Sequence, residues 1–178
     1  MKNTAKSNIR GSLLAVIIGT GMALSGSQIM AADEGQITLE GTVETINEIV
    51  VTPEAGYNDL NLNAGESWKL VATVNERNND PDGYTVTLQS LNADDDQARL
   101  KGDQTTSIYV NYSMKYGTAG SSEDADVTLE AGEAVVTSTT TPTGSSGVNK
   151  KLTVNIAANS WPDAGVYNDT LTLTIASK

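Results

Sequence analysis

Histidine and cysteine are both absent from the chain. A nucleophilic triad sets Ser or Cys beside a base that is most often His. Serines are present, but none stands in a Gly-x-Ser-x-Gly elbow. Paired carboxylates could carry acid–base work, yet the acidic residues Asp80, Asp82, Asp94, Asp95 and Asp96 fall where turns are expected and read as solvated loop charges. Asn78, Asn79, Asp80 and Asp82 bring oxygen ligands close together, as calcium would require. The EF-hand spacing, with its closing Glu at the twelfth position, is not met, and Pro81 interrupts the run. No glycine-rich phosphate loop of the Walker type is present. The expectation is a protein that is not an enzyme and carries no cofactor or metal.

What the chain does offer is a strand. Residues 36–44 alternate, with Ile37, Leu39 and Val43 on one face, Gly41 between them, and Thr38, Glu40, Thr42 and Glu44 on the other. A two-residue period is the signature of a strand with one buried face. Burying that face requires a partner. The partner is either the protein's own sheet or another molecule.

The elements that would position such a strand follow in order. A short apolar run covers 46–52. Trp68, Leu70, Ala72 and Val74 alternate, as do Tyr84, Val86 and Leu88, and then Ile108, Val110, Tyr112 and Met114. Shorter runs lie at 127–129 and 134–137. Leu152, Val154 and Ile156 form another set, and Tyr167, Leu171, Leu173 and Ile175 the last. Asp80-Pro81-Asp82-Gly83 reads as a turn joining two strands, with Pro preset and Gly free to take positive φ. Leu62-Asn63-Ala64-Gly65-Glu66 and Leu129-Glu130-Ala131-Gly132-Glu133 are near-copies, each leading into a strand. The Thr/Ser/Gly run 137–147 reads as a flexible surface loop. Trp161, ahead of Pro162, reads as packed in the loop before the last strand. No window holds a long helical period, and Thr, Val and Tyr suit pleated surfaces. Eight or nine short strands point to a β-sandwich.

The first segment has the order of a secretory signal: Lys2, Lys6 and Arg10, an apolar stretch over 12–26, then Ala31 and Ala32. That stretch is shorter than the roughly 20 residues needed to span a bilayer. Cleavage after Ala31 or Ala32 would leave about 146 residues. Eight Lys and Arg then face twenty-two Asp and Glu, a net charge of −14. Such a chain is repelled by nucleic acid and by anionic lipid. Specific self-association would rest on short-range contacts. Without cysteine there is no disulfide, so the core holds by itself or is completed by a partner.

Gly35-x-Ile37-x-Leu39-x-Gly41-x-Val43 resembles the N-terminal extension of chaperone–usher pathway pilus (fimbrial) subunits. The run from Ala164 to Ile175, with Gly165-x-Tyr167 ahead of its alternation, resembles the family's closing strand. Together these motifs cover about 25 residues. Classical members carry a disulfide and a penultimate tyrosine, and this chain has neither, so the resemblance is to the superfamily and its disulfide-free branch. The resemblance implies an all-β, incomplete immunoglobulin-like sandwich completed in trans by a donor strand. Residues 1–32 would be the signal peptide, 33–45 the donor extension and 46–178 the pilin domain. It implies Ile37, Leu39, Gly41 and Val43 as the donor strand, and Ile46, Ile49, Val51, Leu171, Leu173 and Ile175 as the acceptor groove. It implies a periplasmic chaperone, an outer-membrane usher and neighbouring subunits as partners, and a host receptor for the finished fibre, displayed on the surface of a Gram-negative cell. Two other readings remain open on the residues alone: a single-domain adhesive module, and a self-contained surface sandwich whose first strand pairs within its own chain.

Overall fold

A computed structural model describes residues 36–103, 108–158 and 163–178. The signal-like segment and Trp161 lie outside the described residues. Among the described residues there are ten strands and no helix: β1 (Asn47–Pro53), β2 (Glu66–Asn78), β3 (Tyr84–Ser90), β4 (Ala98–Gly102), β5 (Tyr109–Gly117), β6 (Ala125–Asp126), β7 (Glu133–Thr139), β8 (Val148–Ile156), β9 (Tyr167–Asn168) and β10 (Leu171–Ser177). They form two antiparallel sheets in a sandwich-like arrangement. The larger has the order β1-β2-β8-β5-β4-β9, with β6 paired to β5; the smaller has the order β10-β3-β7. All of these strands belong to one unit, residues 42–178.

The alternation of the sequence sets the inner face. Val74, Val86 and Leu88 are wholly buried, with Met114, Tyr116, Leu129, Leu152, Val154 and Ile156 around them. The expected turns take the predicted chemistry. Gly83 closes a turn onto Asp80 with a 3.0 Å backbone bond, and its positive φ of 87° is a conformation glycine adopts freely. Gly65 and Gly132 both take positive φ at the mouths of β2 and β7, as the two near-copies suggested.

Four readings change. The final alternating run is two strands: β9 joins the larger sheet and β10 the smaller. The chain crosses over at Asp169, whose carboxyl group accepts from Ser90 Oγ, Tyr112 Oη and the Asn92 N–H. The apolar run 127–129 is not a strand; Leu129 is buried as part of the core instead. The loop read over 137–147 begins later, after Thr139, and is tied down by Thr143, whose hydroxyl donates to the Asn78 carbonyl at 3.0 Å. The segment 36–46 forms no strand. A strand is stabilised by its ladder, and no ladder partner for this one is present among the described residues.

Candidate functional site

β1 is an edge of the larger sheet and β10 an edge of the smaller, each paired on one side only among the described residues. Register decides which side chains look inward. In β1, Asn47, Ile49 and Val51 lie opposite the buried Asn78, Glu76 and Val74. In β10, Leu171, Leu173, Ile175 and Ser177 lie opposite Ser90, Leu88, Val86 and Tyr84, all buried. These inward residues of the two edges are not themselves covered. Val51 is 44% exposed, and Ile49, Leu171, Leu173 and Ile175 are half-buried, whereas Leu88 and Val86, next to them in the smaller sheet, are 0% exposed. The sandwich therefore has an apolar flank between β1 and β10 where its interior reaches the surface.

Five of the six residues read from the sequence as an acceptor groove stand on this flank. Ile46 does not. It precedes β1 and by alternation shares the opposite face with Val50, where it lines a cleft with Arg77, Asn79, Thr143 and Ser145. Ile46 reads with the others in the sequence because it opens the short apolar run 46–52, in which Ile46, Ile49, Val50 and Val51 follow no two-residue period that would separate the faces.

One end of the flank is closed by a polar clasp. Asn78 Nδ2 donates to Asn47 Oδ1 at 2.8 Å and to Ser177 Oγ at 3.0 Å. Asn47 Nδ2 also donates to Ser177 Oγ at 3.0 Å. Asn78 Oδ1 accepts the Asp80 N–H at 2.9 Å. Of the oxygen groups weighed for calcium, Asn78 Oδ1 and Asp80 Oδ1 each accept an N–H within the turn, Asp80 Oδ1 that of Asp82, and Asn79 Oδ1 accepts the Ile46 N–H across the strands.

Two carboxyl groups brace the sheets in a chain with no disulfide. Glu76, on β2 and wholly buried, accepts from Tyr84 of β3 at 2.9 Å, Tyr116 of β5 at 2.7 Å and Thr137 of β7 at 2.9 Å. Asp169 accepts from Ser90 of β3 at 2.6 Å and Tyr112 of β5 at 2.5 Å. Burial, and then the bond to an acidic partner, push the hydroxyls of Tyr84, Tyr112 and Tyr116 well above the ordinary tyrosine range. Apart from Asn78, which was weighed only as an oxygen ligand for calcium, none of the clasp or brace residues was read from the sequence as functional. The available signal was polarity at inward positions: Val74-x-Glu76-x-Asn78 continues the buried face of β2 in polar residues.

The donor-like residues differ sharply from this core. Ile37 is 85% exposed, Leu39 90% and Val43 86%. A side chain added at Gly41 would meet nothing. Monomeric surfaces carry single exposed aliphatics routinely, but three at alternating spacing on an unpaired segment form a ready strand face.

No protein-family model matches the chain. No curated protein matches it either.

Proposed function

We propose that this protein is a structural subunit of a surface fibre, assembled by strand exchange. The segment 36–44 of one copy enters the apolar flank of another, between β1 and β10. The observation that carries the reading is a pair of complementary deficits in one chain: an alternating segment with its apolar face fully exposed, and a sandwich with two single-paired edges whose inner residues are uncovered.

The physics favours the match. Burying Ile37, Leu39 and Val43 is worth roughly 1.5–3 kcal/mol each. A handful of ladder hydrogen bonds adds about 0.5–1.5 kcal/mol each. The sum is comparable with the roughly 5–15 kcal/mol that stabilises a whole domain. An inserted strand would also cover the exposed edges, which are otherwise sites of uncontrolled pairing. Exchange between copies is head-to-tail and so builds an open filament. The resemblance to chaperone–usher pilins adds an assembly route, in which a periplasmic chaperone guards the flank until the usher brings the next subunit.

Two forms of the chain test this. One lacks residues 33–45; the other carries them after Lys178 through a short flexible linker. Strand complementation raises the melting temperature of the second by tens of degrees and keeps it monomeric. Equal melting of the two forms means that the fold is complete without the segment, and turns attention to a self-contained surface module.

A further inference from the structure

The segment 36–44 ends three residues before β1 begins, so the flank of its own chain lies within reach. A reversal at Thr45-Ile46 would lay the segment antiparallel to β1, along the same gap. Closure of this kind would produce inert monomers in place of a fibre.

Two features oppose it. Two-residue hairpin turns demand positive φ at one or both central positions and favour Asn-Gly or Asp-Gly. Thr45 and Ile46 are both β-branched and disfavour that region. The second feature is Asn79, the residue immediately after β2. Its Oδ1 accepts the Ile46 N–H at 2.7 Å, its Nδ2 donates to the Glu44 carbonyl at 2.8 Å, and its own N–H donates to the Ile46 carbonyl at 3.3 Å. The side-chain amide acts as one more peptide unit, extending the β1–β2 ladder past the end of β2. A reversal at Thr45-Ile46 would have to break these bonds first.

We infer that Asn79 is a positioning residue that holds residues 44–46 in line with β1 and so withholds the alternating segment from its own flank, leaving it for a second copy. This rests on the strand-exchange reading above, and the experiment separates the two.

The chain purified after export is compared with Asn79→Ala, with Thr45→Asn/Ile46→Gly, and with the combination of all three. Assembly is followed by light scattering after size exclusion, and melting temperature is followed against protein concentration. Asn79→Ala loses two side-chain hydrogen bonds, each worth about fivefold in an equilibrium. The ratio of closed monomer to assembled chain should rise at least about tenfold, and further with the Asn-Gly turn. Closed monomers are recognised by a melting temperature independent of concentration and above that of a form lacking 36–44. Asn79→Asp keeps the acceptor and loses the donor, so it falls between the wild type and Asn79→Ala. An Asn79→Ala chain that assembles as the wild type does, while the Asn-Gly turn yields closed monomers, overturns the inference. So does one that yields only monomers as unstable as the deletion form, since Asn79 would then be structural alone. If deleting 36–44 changes neither melting nor assembly, the strand-exchange reading itself fails, and the role of Asn79 falls with it.

Discussion

Asn47 Nδ2 donates to Ser177 Oγ at 3.0 Å, joining residues 130 apart in sequence and linking the edge strand of one sheet to the edge strand of the other. Asn78, wedged beneath them, donates to both. The clasp closes the apolar flank at the β1 start and the β10 end, and the aliphatic residues Ile49, Val51, Ile175, Leu173 and Leu171 continue from it. On the strand-exchange proposal, a flank closed at one end would give the incoming strand a fixed stopping point. Ser177→Ala removes one acceptor and should cost about 0.5–1.5 kcal/mol. Asn78→Ala also strips Asp80 N–H of its partner and should cost more, about 2–4 kcal/mol. Urea unfolding measures both. Hydrogen exchange of the β10 amides should accelerate in each variant; unchanged β10 protection would mean that the clasp does not hold the two edges together.

Glu76 is the second device that ties sheet to sheet. A buried carboxyl group with three hydroxyl donors and, among the described residues, no cation hydrogen-bonded to it is tolerated because it satisfies the buried Tyr84 and Tyr116 hydroxyls in turn. Glu76→Ala leaves the Tyr84 and Tyr116 hydroxyls buried without their acceptor. The expected loss is about 3–5 kcal/mol, roughly 10–20 °C in melting temperature for a chain of this size. Glu76→Leu of similar volume, combined with Tyr84→Phe, Tyr116→Phe and Thr137→Val, removes the polar groups together and should recover much of the loss. Failure of that combination to recover stability would show that Glu76 does more than satisfy its donors.

Much of the sandwich is legible because its core strands alternate cleanly. Tyr84-x-Val86-x-Leu88 and Leu152-x-Val154-x-Ile156 stand in the structure with the faces that the alternation assigns. β4 escaped notice because its outward residues are Arg99 and Lys101, and only Ala98 and Leu100 carry an apolar signal between them. The crossover at Asp169 is a tertiary event, made by side chains of β3 and β5, and its one mark in the alternation is an acidic residue at the apolar position between Tyr167 and Leu171. One of the most regular alternations in the chain, 36–44, forms no strand at all. A pattern says which face must be buried, while the partner that buries it lies outside the pattern. For the same reason the flank was legible as residues in β1 and β10, whereas the clasp at its end, built from Asn and Ser, was not.

Stability should fall at both pH extremes, for opposite reasons. The hydroxyls of Tyr84, Tyr112 and Tyr116 are raised above their ordinary value of 10.0, first by burial and then by bonds to Glu76 or Asp169. A raised folded value means that stability is fully present below pH 10 and is lost as pH climbs from there toward the folded values. Asp124 behaves in the other sense. Burial acts to raise it, but the N–H groups of Ala119, Gly120 and Ser121, with Lys150 nearby, outweigh burial and hold it below its ordinary 3.8. Its contribution is present above that value and is lost as pH falls through the folded one. Melting curves across pH should therefore show an alkaline limb beginning near pH 10, moved by Tyr116→Phe, and an acid limb below about pH 4, flattened by Asp124→Asn. Limbs insensitive to these substitutions would assign the titrations elsewhere.

The flank itself can be probed without forming a fibre. Ile175 is half-buried, so Ile175→Thr should cost the chain less than the roughly 2–5 kcal/mol typical of truncating a fully buried aliphatic. An inserted strand would complete its burial. The same substitution should then weaken the binding of a synthetic peptide of residues 36–44 to a chain lacking its own copy of that segment, by about 10–100-fold, the equivalent of 1.5–3 kcal/mol. Val86→Thr, on β3 and wholly buried, reverses the balance: a large loss of stability with little specific effect on the peptide. Peptides carrying Leu39→Ser should bind as weakly as the Ile175→Thr variant binds the native peptide. Isothermal titration at fixed temperature separates these cases. Equal peptide affinity for the wild type and Ile175→Thr would rule out binding of the segment between β1 and β10.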